Sequence, residues 1–533
     1  MIHDCLKLSF FLCFLFVTLI RHTFSANLSN SLINSSLPAV SNPNARSAWQ
    51  SYLHRLNRIQ IRNQRASSLL SPFIAQYEFK TPEVQLRRGL VYTGFNHRLR
   101  TAVKRGMERK QLSIGVIGGS ISFGTGTSKV GETDWVSIVE KWAVKVFGNV
   151  TVRNGCIPGT LSAYMAVCLD MSVDQDVDIV FSEYVLNDGK LGQGFDSSSR
   201  LKEHERLVRR VLSLPHRPPL IFLQTCSHGL AFPEDHRDSS PFHDGIEEAY
   251  GILSQYYDVQ WLSLRTASYR LARFNKSPEF SWQNIMNADF IHPADFGHKI
   301  MADLVVWLFH HTATNLMLHP LTATDTELAA EELPPPMFQG NLAPSAPMCM
   351  HFEALQALIV SAQGFEFVVE GPKKKKGFVG LVPGSNVTFK INTDRGGGSD
   401  GSGKAPLVLV QIGHLKSYEH MGKAKASCSS GCTCDPIVID GHHSLQVSQT
   451  YLASLMVSQH PECYVTVEVL KHTSSGQHKV KIIGIMISDT ANPESKFCFQ
   501  KLIDKYDLST LLKHLTLFNG NREPSIFERW REF

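Results

Sequence analysis

Between Leu112 and Phe309 the chain alternates short, nearly unbroken apolar runs with stretches of helix length, and few folds accept that pattern. The runs are Leu112–Ile117, Val150–Val152, Val177–Val185, Leu220–Leu223 and Val259–Leu264, bounded by Gly, Asn or Pro. Between them lie Asp134–Phe147, Leu161–Met171, Arg200–Leu214 and Asp244–Tyr257, and a last helical stretch runs from about Phe296 to Phe309. A strand that is apolar at almost every position has to be covered on both faces. Strands joined by helices run parallel, and their crossovers are right-handed. The pattern predicts an α/β domain over residues 111–312, a three-layer α/β/α sandwich around a parallel sheet.

The flanks have a different texture. The chain has 533 residues, too many for one ordinary core. Residues 1–26 carry the apolar run Leu8–Ile20, which suits the core of a signal peptide and is short for a membrane span; a retained signal anchor is the alternative. Residues 27–110 read as an N-terminal extension, Ser/Asn-rich and then basic and helix-compatible. Residues 313–346, with Pro334-Pro335-Pro336, read as a linker. Residues 347–490 are rich in short β-branched runs and predict a smaller β-sandwich-like domain, and 491–533 form an unassigned tail. Sequons at Asn27, Asn34, Asn149, Asn275 and Asn386 fit a secretory route. So do six cysteines from Cys349 onward, which predict disulfides in the C-terminal region. The spacing of Cys428, Cys432 and Cys434 with His442 and His443 matches no strong zinc pattern. A net charge of +5 gives no basic stripe for nucleic acid, and the run Lys373–Lys376 reads as a solvated turn.

In an open parallel sheet, reactive groups collect beyond the carboxyl ends of the strands. Unusual polar residues stand there in this chain. The first strand ends in Gly118-Gly119-Ser120-Ile121-Ser122, the second in Asn154-Gly155-Cys156-Ile157-Pro158-Gly159-Thr160, and the third in Glu183-Tyr184-Val185-Leu186-Asn187-Asp188-Gly189. Far downstream stands Asp289-Phe290-Ile291-His292-Pro293. A hydroxyl near neutral pH needs a base within hydrogen-bond reach, and a His oriented by a carboxylate supplies one. Ser122 and His298 are the rivals for nucleophile and base: Ser122 lies deeper in the turn, and His298 falls inside a helical pattern headed by Asp295. Glu183 and Asp188 read as structural carboxylates. A dinucleotide site is not indicated, since no Gly-x-Gly-x-x-Gly follows Gly118-Gly119.

These four segments, in this order, resemble the blocks of the SGNH (GDSL-like) hydrolase superfamily over about residues 111–312. Ser120 stands at the position of the nucleophile, within Gly-Gly-Ser-Ile-Ser in place of the usual Gly-Asp-Ser-x-Ser. Gly159 and Asn187 match the oxyanion glycine and asparagine, and Asp289 and His292 match the acid and base. The resemblance implies a flavodoxin-like fold and ester hydrolysis through an acyl-enzyme, with no metal or nucleotide cofactor. The oxyanion would be held by the Ser120 N–H, the Gly159 N–H and the Asn187 amide. Gly119 is the one departure, and it raises the question of what braces the nucleophile turn. The segment Ser417–Gly422 and the cysteines Cys428–Cys434 resemble the β-rich extension of secreted, glycan-associated members. The implied partner is an ester, such as an acylated polysaccharide, which the C-terminal module could grip through exposed aromatics; Tyr418 and Tyr451 read equally well as core residues. A membrane is implied only if the N-terminal segment stays as an anchor. Two alternatives share the fold: acyl transfer to a glycan hydroxyl, and a glycan-binding or cell-surface protein without activity.

Overall fold

The computed structural model describes residues 77–188, 199–225, 242, 246–274, 277–287, 291–342, 347–370, 375–395, 407–444 and 448–488. The signal segment 1–26, the sequons at Asn27, Asn34 and Asn275, and the tail 491–533 lie outside the described residues. No helix among the described residues is long and apolar enough to cross a membrane.

The first sheet has six strands: β1 (Leu90–Tyr92), β2 (Gln111–Gly118), β3 (Asn149–Asn154), β4 (Ile179–Glu183), β5 (Leu220–Gln224) and β6 (Gln260–Ser263). Their order is β1-β6-β5-β4-β2-β3. Strands β2 to β6 pair in parallel, and β1 pairs antiparallel to β6 at the edge. Without β1 the order is that of flavodoxin, in which the crevice opens between the first and third parallel strands. Here those strands are β2 and β4.

Side-chain alternation explains the three layers. Ile114, Val116, Phe181, Ile221 and Leu223 pack into one core with the helices Trp135–Phe147 and Asp295–Leu318. Ile117, Val180, Leu220 and Phe222 point the other way, into a second core with the helices Ser162–Ser172, Ser199–Leu212 and Ile246–Tyr257. The central strands β2, β4 and β5 are thus buried along nearly their whole length because each face has its own core, whereas the edge strand β3 alternates half-buried and exposed residues.

The domain extends past both expected boundaries. Helices Glu83–Gly89 and His97–Arg109 supply Leu86, Leu99 and Val103 to the first core. Asp303, fully buried in the long helix, accepts from the Tyr77 hydroxyl (2.8 Å), the Lys80 and Thr81 N–H groups (3.0 and 2.8 Å) and the Thr81 hydroxyl (2.8 Å). Residues 77–110 are therefore part of the domain and not an extension. The expected linker is also fastened. Helix Ala323–Ala330 is anchored by the buried pair Arg100–Asp325 (2.8 Å), and Leu333, Met337 and Phe338 pack against the second core.

The C-terminal domain is a sandwich of two antiparallel sheets. Its strands are β7 (Met348–His351), β8 (Ile359–Gln363), β9 (Phe365–Glu370), β10 (Lys375–Gly380), β11 (Asn386–Ile391), β12 (Val408–Lys416), β13 (Lys423–Ser430), β14 (Ile437–Asp440), β15 (Gln449–Val457), β16 (Cys463–Val469) and β17 (Val480–Ser488). One sheet runs β15-β12-β17-β10-β9, with β7 also on β17; the other runs β14-β13-β16-β11-β8. Val410, Ile412, Ile485 and Ile487 of the first meet Val387, Phe389, Val465 and Val467 of the second. Part of the lysine run is strand and not turn: Lys376 lies in β10 and pairs with Glu353. Tyr451 is buried at 7% exposure, with the Lys416 ammonium 4.9 Å from its ring centre, so it is no open platform for a sugar.

Two disulfides, Cys428–Cys434 and Cys432–Cys463, staple this sandwich. The sulfurs of Cys428, Cys432 and Cys463 lie close enough to suggest a metal cluster, but they are consumed in these bonds. A third disulfide, Cys168–Cys349, joins helix Ser162–Ser172 to β7 and so crosses between the domains. Val167 and Met486 are buried beside it, with Tyr164 and Leu452 packed around them. Among the described residues Cys156 is the free thiol, and it is buried.

Candidate active site

Strand β2 ends at Gly118, and the chain turns at once into one helical turn, Ser120–Phe123, closed by Gly124 at φ 103°. Ser120 therefore stands at the top of the sheet, at the crevice beside β4. Its Oγ lies 2.8 Å from His292 Nε2, across 172 residues of sequence. When Nε2 carries no proton, the Ser120 hydroxyl donates to it, and the imidazole is placed to remove that proton.

The His292 loop is held at both ends. Asn287 N–H donates to the His292 carbonyl (2.8 Å), Ala294 N–H to the Ile285 carbonyl (2.9 Å), and the Asn287 amide to the Gly126 carbonyl (2.7 Å). Gly126 has φ 99°, and a Cβ there would stand 2.7 Å from the His292 Cβ, so glycine permits the close approach of the serine and histidine loops. Asp289 lies outside the described residues.

The turn after β3 is fixed to β2 by the Ile157 N–H donating to the Gly118 carbonyl (3.1 Å). Ile157–Thr160 is a type II turn in its chemistry, with Pro158 second and Gly159 third at φ 76°. Thr160 returns both its N–H (3.3 Å) and its hydroxyl (2.8 Å) to the Ile157 carbonyl. The turn after β4, Val185–Asp188, carries Asn187, whose amide packs directly against Gly119. A Cβ on Gly119 would stand 2.1 Å from Asn187 Oδ1 and 2.6 Å from both Cγ and Nδ2. In this chain the Asn187 amide occupies the space that a side chain at position 119 would take. Asp188, fully buried, accepts from the Ser162 N–H (2.9 Å) and the Tyr250 hydroxyl, and lies 3.5 Å from His204 Nδ1. Burial pushes its carboxyl up, but His204, Arg200 and Ser162 together outweigh burial and hold it below the usual carboxylate range. Asp188 thereby ties the Asn187 turn to the helix that follows Gly159.

The rivals have other work. Ser122 is fully buried; its hydroxyl accepts from the Trp135 indole (3.1 Å) and donates to Glu183 (3.4 Å), and its carbonyl accepts from the Asn154 amide (2.8 Å). His298 is also buried, and its Nδ1 accepts from the Trp135 N–H (3.3 Å) at the start of helix Trp135–Phe147. Burial lowers its pKa to about 4, against Asp134 and Asp295, which favour the charged form. Asp295 does not cap its helix; the cap position is Ala294, and Asp295 instead accepts from Ser128 N–H (2.8 Å) and Thr133 Oγ1 (3.0 Å).

Glu183, a structural carboxylate by its sequence, lies at the base of the site. It is the last residue of β4, buried at 1% exposure. Burial pushes its pKa up to about 8, against hydrogen bonds from Ser122, Thr225 and Gly119. The signal that could have singled it out is the glycine at 119, which leaves the nucleophile turn without its usual carboxylate.

Fold and strand-end arrangement together define the α/β domain as a flavodoxin-type three-layer sandwich with its polar strand ends gathered at one crevice, here followed by a β-sandwich. Among solved structures, a two-domain esterase active on acetylated mannans matches along both domains. Its form co-crystallised with mannopentaose has a TM-score of 0.56 and 17% identity, covering 78% of this chain and 100% of that one. A second crystal structure of that esterase gives 0.57 and 17%, covering 76% of this chain and 99% of that one. No family model and no curated protein matches the sequence.

Proposed function

We propose that this chain is a serine esterase of the secretory pathway that removes O-acyl groups, O-acetyl above all, from glycans. His292 takes the Ser120 proton as Oγ attacks the ester carbonyl. Asp289, three residues upstream, orients the imidazole and steadies its charged form. The Ser120 N–H, the Gly159 N–H and the Asn187 amide receive the oxyanion. Collapse of the tetrahedral adduct expels the sugar alcohol, which takes its proton from His292. Water then enters, gives its proton to His292, and cleaves the acyl-enzyme to release the acid and free Ser120.

The observation that carries this reading is the 2.8 Å contact between Ser120 Oγ and His292 Nε2. Gly126, at positive φ against the His292 Cβ, supports it by letting the serine and histidine loops approach. The choice of acetylated glycan rests on the solved esterase, which acts on acetylated mannans. The signal segment, the sequons and the three disulfide bonds support passage through an oxidising lumen. The non-catalytic alternative drew on Gly119, which packs against the Asn187 amide.

Labelling with a fluorophosphonate tests the reading. The purified protein is labelled and Ser120→Ala is not; a wild-type protein that stays unlabelled refutes it. Asp289→Asn lowers kcat by on the order of 10⁴ while labelling stays specific for Ser120. Acetylated mannan, assayed for released acetate with and without an added oligosaccharide acceptor, separates hydrolysis from acyl transfer.

A further inference from the structure

We infer that Glu183 is the positioning residue of the nucleophile turn, its buried carboxyl serving as the common acceptor that holds Gly119 to Ser122 in shape. The inference rests on the reading of Ser120 as nucleophile and deepens it. The carboxyl lies at the end of β4, the strand paired with β2, in the register Gly118↔Glu183. Ser122 Oγ donates to Oε2 (3.4 Å) and Thr225 Oγ1 donates to Oε1 (3.3 Å). Hydrogen bonding from the Ser122 and Gly119 backbone also favours the ionised form of this carboxyl. Gly119 N–H reaches the Glu183 carbonyl as well (3.3 Å), so one residue grips the turn through main chain and side chain. Thr225, at 0% exposure, directly follows the next strand along, so the brace spans β2, β4 and β5.

The physical reason lies in the donors of the turn. A four-residue helical turn at a strand end leaves N–H groups without partners in the ladder or the helix. Ser122 is buried beside Trp135, where an unsatisfied donor is costly. The residue at 119 cannot supply an acceptor, because Asn187 fills the space its side chain would need. An acceptor therefore has to come from beneath, from the neighbouring strand, and Glu183 is the carboxyl that arrives there. A carboxyl in this place is unfavourable in itself, since burial works against its ionised form. An apolar residue would be more stable there if the turn did not need the acceptor.

The role is positioning and not catalysis, because Glu183 acts on Ser120 through the backbone. Shifting the turn moves Oγ relative to His292 and moves the Ser120 N–H relative to the oxyanion. A displacement of about 1 Å in such an array costs on the order of 10² in rate.

The test uses the full-length, disulfide-bonded protein, with p-nitrophenyl acetate kinetics and amide hydrogen exchange of the peptide spanning 115–124. Glu183→Ala is expected to lower kcat by on the order of 10² with KM unchanged, and to speed exchange in that peptide but not in the β-sandwich. Glu183→Gln keeps one acceptor oxygen in the same shape and restores part of both. Should Glu183→Ala fail to fold, Thr225→Val frees one side of the carboxyl and gives a drop of roughly tenfold in kcat with the same local exchange signature. Unchanged kcat and unchanged exchange in Glu183→Ala overturn the inference. So does a loss in Glu183→Ala that Glu183→Gln does not relieve, since the brace needs an acceptor and not a charge. A wild type silent to fluorophosphonate, with the exchange effect intact, removes the enzymatic reading and leaves the brace standing.

Discussion

Replacing Gly119 by alanine adds a single methyl group, and the distances around it set the consequence. The new Cβ would lie 2.1 Å from Asn187 Oδ1 and 2.6 Å from Nδ2. Heavy atoms in contact need about 3.2–3.5 Å, so the amide must withdraw by about 1 Å. Gly119 itself has a negative φ, −94°, so the substitution does not force a residue into the left-handed region. The Asn187 amide is the end of a short, half-buried side chain and yields first. A donor moved from ~2.9 Å to ~3.9 Å has left hydrogen-bonding range. If Asn187 serves the oxyanion, its loss costs ~10²–10³ in kcat, or about 3–4 kcal/mol. The assay is steady-state hydrolysis of p-nitrophenyl acetate beside thermal unfolding. Gly119→Ala should lose kcat, keep KM, and unfold within a few degrees of wild type. The double variant Gly119→Ala/Asn187→Ala should be no worse than Asn187→Ala alone, because both remove the same donor. Gly119→Asp, which restores the residue usual in SGNH hydrolases, should inactivate in the same way. A Gly119→Ala protein with wild-type kcat beside an inactive Asn187→Ala, or additive losses in the double variant, would overturn this account.

Removing the interdomain disulfide with Cys168→Ser/Cys349→Ser should lower stability by ~2–5 kcal/mol, because the bond closes a span of 181 residues. Calorimetry should then resolve the β-sandwich from the α/β domain as separate transitions, and a single unshifted transition would count against the clamp. His298 and His414 are both buried and lowered to about 4, chiefly by burial. A depressed histidine contributes stability that is present above its unfolded pKa of about 6.5 and is lost as pH falls toward 4. Each shift corresponds to at most about 3 kcal/mol. Denaturant midpoints should fall from pH 6.5 to 4, and His298→Gln should flatten part of that slope; a slope unchanged by the substitution removes His298 as its source.

The sequence alone determined the parallel sheet, because strands covered on both faces must be apolar at successive positions, and that property is local. It also determined the order of the strand-end segments that bring Ser120, Gly159, Asn187 and His292 to one end of the sheet, since a flavodoxin-type winding leaves no other place for them. Residues 77–110 were less legible. Leu99, Val103 and Met107 form a stripe on His97–Arg109, but the arginines and lysines around it masked a helix that completes the first core. Strand β13, with Lys423-Ala424-Lys425-Ala426, carries small inward residues and little β-branched signal, so its pairing with β16 was decided by the sandwich. Tertiary structure alone decided that Cys168 reaches Cys349, that Tyr451 is buried, and that Glu183 lies beneath the nucleophile turn. Each depends on which distant residue arrives alongside, and neither composition nor periodicity encodes a partner scores of residues away.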